Sequence, residues 1–272
     1  MNFGRGTNPD ARHSTCGEPK PKTPGKPLST GRATAHITLA LLLTAMVPVG
    51  CGRDPLPLRT PGLLAYWSFD KDQKDNASED SGKSPILEIS GVGSARGIRG
   101  QCLEFHGNEP GEQYAYLPDP GAFAFGREED YTVEAWVWPA AVSPRPDYEI
   151  IVQKGDYGGY WQGFRLEYKP EGAFLFGLGS GQPRIRTTQT YEAEKWHHVL
   201  GVKSGTQIAL WVNGVKQGEK SGATAGVPNQ LHFSIGSRYH PRDVAWCFAG
   251  KIDEVAVYGR ALSEKEIAQR KR

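Results

Sequence analysis

Short runs of alternating side chains between Leu63 and Tyr258, each ended by glycine or proline, restrict this chain to a fold built from many short strands. Neighbouring side chains on a strand point to opposite faces. In Tyr131-Thr-Val-Glu-Ala-Trp-Val-Trp138, Tyr131, Val133, Ala135 and Val137 therefore share one face. Thr132, Glu134, Trp136 and Trp138 share the other. Gln207-Ile-Ala-Leu-Trp-Val-Asn-Gly214 behaves likewise, with Ile208, Leu210 and Val212 opposite Ala209 and Trp211. Phe164-Arg-Leu-Glu-Tyr168 and Phe174-Leu-Phe-Gly-Leu178 repeat the pattern. The 34 glycines and 20 prolines, about a fifth of the 272 residues, break helices and make turns, which argues against a helix bundle. Asn213-Gly214 marks a tight hairpin, because both residues tolerate positive φ. Only the stretch from Ser263 to Gln269 reads as helical, with Ser263 and Glu266 spaced as a capping box. The expected fold class is an all-β antiparallel sandwich of two sheets.

The first fifty residues stand apart. Residues 1–35 are basic and rich in Pro, Gly, Ser and Thr, too poor in apolar surface to offset the entropy of ordering. They are followed by the thirteen-residue apolar run from Ile37 to Val49. A bilayer span needs about twenty apolar residues, whereas a secretory signal needs fewer. The run ends in Val49-Gly50-Cys51, which resembles a bacterial lipobox, although Pro48 stands where leucine is usual. That resemblance implies cleavage before Cys51 and a lipid on its thiol. An ordinary cleaved signal and an uncleaved anchor are the alternatives. Residues 51–62 then read as a Pro-rich tether through Pro55, Pro57 and Pro61, and residues 63–272 as the folded domain. The expected location is extracytoplasmic, with a lipid anchor in a bacterial membrane.

Charge follows the same division. Residues 1–50 carry six Lys/Arg against two acids, so residues 51–272 hold 26 basic and 28 acidic residues despite the chain's formal +2. No basic patch of the kind that grips nucleic acid stands out, so no nucleic-acid partner is expected.

Along the domain, ordered pieces resemble a known family. They include Leu63-Leu-Ala-Tyr-Trp-Ser-Phe-Asp70, Cys102-Leu-Glu-Phe-His-Gly107, Tyr131-Thr-Val-Glu-Ala-Trp-Val137, Trp196-His-His-Val199, Leu210-Trp-Val-Asn-Gly214, Gly250-Lys-Ile-Asp-Glu-Val255 and Tyr258-Gly-Arg-Ala-Leu-Ser-Glu-Lys-Glu-Ile267. In order and spacing they resemble a laminin-G-like jelly roll of the concanavalin A-like lectin/glucanase superfamily. The resemblance implies two packed antiparallel sheets with the first and last strands close together. It implies function less firmly, because this fold carries lectins, adhesion modules and enzymes.

Carbohydrate binding is the leading expectation, ahead of a protein-interaction module at the cell surface and of a glycan-active enzyme. Glucanases of this fold place paired carboxylates on one strand. Here Glu134 is the only carboxylate on its strand, and Gly-x-Ser-x-Gly is missing. His197-His198 cannot jointly hold one ion, since neighbours on a strand face opposite ways. If the two Trp-bearing strands share a sheet, Trp136, Trp138 and Trp211 line one groove beside Glu134. Tyr160, Trp161 and Trp246, with Tyr157 and Tyr239, lie in or beside glycine-rich loops placed to rim it. Aromatic faces with polar neighbours suit sugar rings. The alternative is a second aromatic core covered by loops.

Asp70-Lys-Asp-Gln-Lys-Asp-Asn76 with Asp80 gathers hard oxygens, making Asp70 and Asp80 candidate calcium ligands. The competing reading is a solvated loop diluted by Lys71, Lys74 and Lys83. Cys102 and Cys247 begin similar local patterns that the resemblance places on nearby strands, so a disulfide is expected between them, against two buried thiols.

Overall fold

The computed structural model describes residues 56–71, 76–83, 86–107, 113–118, 121–144, 147–155, 162–227, 231–240 and 243–270, all within one compact unit, Gly52–Arg272. A single helical turn, α1 (Leu56–Arg59), leads into β1 (Leu63–Trp67), β2 (Asn76–Ala77), β3 (Leu87–Ser90), β4 (Gly93–Arg96), β5 (Gln101–His106) and β6 (Tyr114–Leu117). The middle of the chain forms β7 (Tyr131–Pro139), β8 (Glu149–Gly155), β9 (Gly163–Lys169), β10 (Ala173–Leu178), β11 (Arg184–Arg186) and β12 (His197–Ser204). The last elements are β13 (Gln207–Val212), β14 (Val215–Ser221), β15 (His232–Ile235), β16 (Arg238–His240), β17 (Asp243–Ala245), β18 (Ala249–Tyr258) and α2 (Glu264–Ala268).

Two antiparallel sheets of eight strands pack face to face. The first runs β14-β13-β12-β7-β18-β5-β4, with β1 pairing the second half of β18. The second runs β11-β10-β9-β8-β15-β6-β3-β2, and β16–β17 form a separate hairpin. The β1–β18 pairing joins the two ends of the domain, as the family resemblance implies. This is the all-β two-sheet sandwich expected from the alternation, in the jelly-roll form that the family resemblance implies.

The core lies between the sheets. Tyr131, Val133, Ala135 and Val137 of β7, Ile208, Leu210 and Val212 of β13, and Phe164, Leu166 and Tyr168 of β9 all point into it. The sheets approach closely where β12 crosses β10. A Cβ on Gly201 would come within 2.2 Å of the Phe176 ring. Gly201→Ala is therefore expected to cost roughly 1–3 kcal/mol through overpacking, read as a lower urea midpoint. An unchanged midpoint would show that the ring moves aside freely.

Local signals also hold. Asn213 and Gly214 turn β13 into β14 with φ of +50° and +69°. Ser263 and Glu266 close the capping box of α2. A bulge inside β18 has no such signal: the register shifts between Asp253 and Ala256, and Glu254 takes φ +51°. The bulge buries Asp253, whose two oxygens accept from the backbone N–H groups of Arg99 (3.2 Å) and Glu254 (2.8 Å). Burial, then the neighbouring Glu254 charge, pushes the Asp253 carboxyl up to about 8.

This shift sets a sign for stability. Between about pH 4 and pH 8 the folded chain holds a proton on Asp253 that the unfolded chain has released. Raising pH through that window favours unfolding, by up to about 1.4 kcal/mol per pH unit from this group. Urea titrations at pH 5 and pH 7.5 are expected to show a steeper loss for the wild type than for Asp253→Asn. Parallel profiles would contradict this account.

Candidate ligand-binding face

The outer face of the first sheet carries the predicted residues but closes over half of them. Glu134, Trp136 and Trp138 of β7 do share that face with Trp211 of β13. The first and last described segments cover the part around Glu134 and Trp211. Leu63, Tyr66, Leu200, Val202, Trp211, Ala256, Tyr258, Leu262 and Ile267 form a second core there, with Leu58 of α1 packed against it. Trp211 is 7% exposed and Glu134 2%.

Glu134 is held on several sides. His198 Nε2 lies 3.0 Å from one oxygen, Arg270 Nε 3.0 Å from the same oxygen, and the Tyr258 hydroxyl donates to the other. Burial alone would raise the Glu134 carboxyl. The His198 hydrogen bond and the Arg270 charge outweigh it and keep the group below the usual carboxylate range. Trp136 is 8% exposed and stacks on His198 at 5.0 Å. Trp138, half-buried, keeps one ring face toward Lys251, whose Nζ lies 4.7 Å from the ring centre. Trp136, Trp138 and Trp211 thus do not line one open groove; the second aromatic core is the reading that holds for Trp211 and Glu134. His197, on the opposite face from His198, bonds the Glu192 carbonyl at 2.8 Å.

The disulfide expectation is corrected. Cys102 and Cys247 are separate buried thiols. Leu103 pairs with Ile252 and His106 with Ala249, so Cys102 is level with Asp253 while Cys247 lies past the far end of the pairing. Six residues of strand separate those levels, roughly 20 Å, against the 7 Å limit between Cα atoms for a bridge. Burial, then the Asp253 charge, pushes the Cys102 thiol up to about 12.

The calcium candidates are engaged elsewhere. One Asp80 oxygen accepts from the Ser68 N–H and hydroxyl, both at 2.8 Å, and the other faces Lys71 Nζ at 3.2 Å. Asp70 accepts from the Gln101 N–H at 2.9 Å. Among the described residues, no group of three or more His, Cys, Asp or Glu is placed to hold a metal ion. Tyr157, Tyr160, Trp161 and Cys51 lie outside the described residues.

The outer face of the second sheet carries the aromatic and polar groups that sequence reasoning sought on the first. Strand register lays one row across it: Arg184, Gly177, Arg165, Gln153, Ser234, Tyr116 and Glu88. Arg165 (5% exposed) bonds Gln153 Oε1 through Nε at 3.1 Å. The half-buried Trp246, just after β17, is flanked by two guanidiniums, Arg165 at 5.0 Å and Arg238 at 4.7 Å from its ring centre. Trp246 holds φ +54°, a strained value for a bulky residue and a frequent mark of functional positions.

Two walls rise beside this floor. On one side Tyr239 of β16 stacks on Tyr116 at 3.8 Å, with Tyr114 at 4.8 Å. On the other, Arg184 lies over Gly177, where a Cβ would come within 2.7 Å of its Cγ. Arg184 also pairs with Glu167 and covers the Tyr148 ring at 4.3 Å. Of this face, sequence reasoning named Trp246 and Tyr239 but assigned them to the other sheet. It missed Arg165, Arg184, Arg238, Gln153 and Tyr116. The alternation of Phe164-Arg-Leu-Glu-Tyr168 placed Arg165 and Glu167 outward, where charge normally means solvent.

Comparison with known proteins agrees with this architecture. The binding domain of Paraclostridial Mosquitocidal Protein 1 superposes with TM-score 0.61 at 17% identity, over 79% of this chain and 52% of that one. Domain 4 of AbnA, an extracellular GH43 arabinanase from Geobacillus stearothermophilus solved with arabinotriose, gives 0.58 at 19%, over 77% of this chain and 98% of that one. A Trypanosoma rangeli sialidase mutant with trans-sialidase activity gives 0.59 at 18%, over 76% of this chain; the chain spans only 32% of the sialidase. At these identities the likeness is one of fold. No curated protein matches the sequence. The sequence profile described as "Concanavalin A-like lectin/glucanases superfamily" matches residues 109–268, more than half of the chain. The protein therefore belongs to the concanavalin A-like lectin/glucanase superfamily, as a laminin-G-like domain.

Proposed function

We propose that this protein is a non-enzymatic carbohydrate-binding module whose ligand lies on the outer face of the second sheet. The observation that carries this reading is Trp246, a partly exposed indole with the Arg165 and Arg238 guanidiniums near its ring, on the outer face of the second sheet and away from the described terminal segments that cover the first. An aromatic face takes the apolar CH side of a sugar, and the surrounding polar groups take its hydroxyls. The arabinanase domain solved with arabinotriose supports the class of ligand. Against catalysis, the only carboxylate on β7, Glu134, is enclosed by His198, Tyr258 and Arg270. On the second sheet, Glu167 is held by Arg184, and Glu88 accepts from the Tyr116 hydroxyl.

Titration of the purified protein with a panel of oligosaccharides, followed by tryptophan fluorescence, tests this reading. Saturable binding without turnover of the sugar is the expected result. A protein that binds no sugar in the panel, or that cleaves one, would overturn it.

We propose further that the domain is extracytoplasmic and lipid-anchored at Cys51, as the apolar run ending in Gly50-Cys51 and the Pro-rich tether suggest. Cys51→Ser is expected to move the protein out of the membrane fraction. Unchanged partitioning would contradict the anchor.

A further inference from the structure

Resting on the reading of the second sheet as a glycan-binding face, we propose that its ligand is a run of several sugar units within a linear polysaccharide, held at a second aromatic station, the Tyr116–Tyr239 stack, as well as at Trp246. One hairpin carries a ring of each station. Tyr239 of β16 pairs with Val244 of β17, and Trp246 follows two residues after Val244. Trp246, Tyr239 and Tyr116 are all partly exposed.

Spacing carries the first argument. The Trp246 ring lies against Arg165 of β9, and the Tyr239 ring against Tyr116 of β6. Arg165 and Tyr116 stand in one row across the sheet, with Gln153 of β8 and Ser234 of β15 between them. Neighbouring strands are about 4.8 Å apart, so these two anchor positions are separated by roughly 14 Å. A single sugar ring is too short to touch both stations, whereas a few linked units reach from one to the other. Once the first station is occupied the second contact is intramolecular, so affinity climbs with chain length.

Ring access carries the second. Tyr116 and Tyr239 stack 3.8 Å apart at 14°. A third ring lying on the far face of either would be farther from the other by about that stacking distance. Tyr114 lies 4.8 Å from Tyr239 and 5.6 Å from Tyr116. His232 lies 5.6 Å and 6.1 Å from the same two rings. Both therefore sit beside the stack and leave its outer faces clear. An open tyrosine face takes the apolar CH side of a sugar. Glu88, exposed at the edge of the stack, accepts from the Tyr116 hydroxyl at 2.8 Å and brings carboxylate acceptors within reach of sugar hydroxyls.

The test is calorimetric titration of the protein with arabinan, xylan, cellulose, mannan and galactan oligomers of one to six units. Tyr239→Ala, Tyr239→Phe and Trp246→Ala are measured alongside, with Tyr116→Ala in reserve should Tyr239→Ala not fold. In at least one series affinity is expected to rise ten-fold or more between two and four units and then level off. Tyr239→Ala should remove that rise while leaving the affinity of the shorter sugar within about two-fold. Tyr239→Phe keeps the ring and should keep most of the rise, and Trp246→Ala should lose binding at every length. Equal affinity at all lengths, or a rise that survives Tyr239→Ala, with binding still abolished by Trp246→Ala, would overturn the second station and leave the glycan face standing. Binding of no oligomer in any series would overturn both.

Discussion

Replacing Arg270 with alanine is expected to destabilise the domain by about 3–5 kcal/mol, the usual cost of leaving one partner of a buried ion pair behind. Arg270 is 5% exposed and joins three distant parts of the chain. Its Nε meets Glu134 of β7, its Nη2 donates to Thr60 Oγ1 at 2.8 Å, and its Nη1 donates to the Glu266 carbonyl at 2.8 Å. Without it, Glu134 stays buried with less compensation, and the segments covering Trp211 lose their tie. The check is a urea unfolding curve with tryptophan fluorescence. A loss below about 1 kcal/mol would mean that the terminal segments hold by apolar contact alone. The same network predicts an acid limit. Glu134 sits below the usual carboxylate range in the fold, so its contribution is present at neutral pH and is lost as pH falls through its lowered value.

Trp246→Ala is expected to abolish sugar binding while sparing the fold. Central aromatic contacts in binding sites typically carry 2 kcal/mol or more, roughly a thirty-fold or greater loss of affinity. Trp246 is half-buried and lies on the outside of the sandwich, so its removal forfeits two cation–π contacts at about 0.5–1 kcal/mol each, with no cavity in the core. Trp138→Ala is the matched control, since Trp138 faces Lys251 on the other sheet. It should leave sugar affinity within about two-fold. Affinity lost with Trp138 and kept with Trp246 would return the ligand to the first sheet.

The sandwich was legible because β7, β9, β10 and β13 alternate in the plain period of two, and because Asn213-Gly214 and the Ser263–Glu266 box are local signals. Harder to read were features that depend on distant segments. Whether Glu134 and Trp211 face solvent is decided by α1, by Leu262 and Ile267, and by Arg270, which return to the sheet from both ends of the domain. Alternation shows that two residues share a face, not what covers it. On the second sheet the difficulty was reversed. Arg165 and Glu167 stand at outward positions and read as solvated, yet they are 5% and 2% exposed, Arg165 lying against the Trp246 ring and Gln153, and Glu167 pairing with Arg184. The β8 run Glu149-Ile-Ile-Val-Gln-Lys-Gly155 is buried throughout, so the position of Gln153 in the site had no periodic signal. The cysteines misled because a shared β5–β18 pairing suggests proximity, while antiparallel register places them at opposite ends of it.

The central claim is that ligand binds the outer face of the second sheet. Amide hydrogen exchange with and without a bound oligosaccharide tests it most directly. The account predicts added protection in β8, β9, β11 and the β16–β17 hairpin, with β7, β12 and β13 unchanged. Protection concentrated in β7 and β13, around Trp136, Trp138 and Trp211, would contradict it.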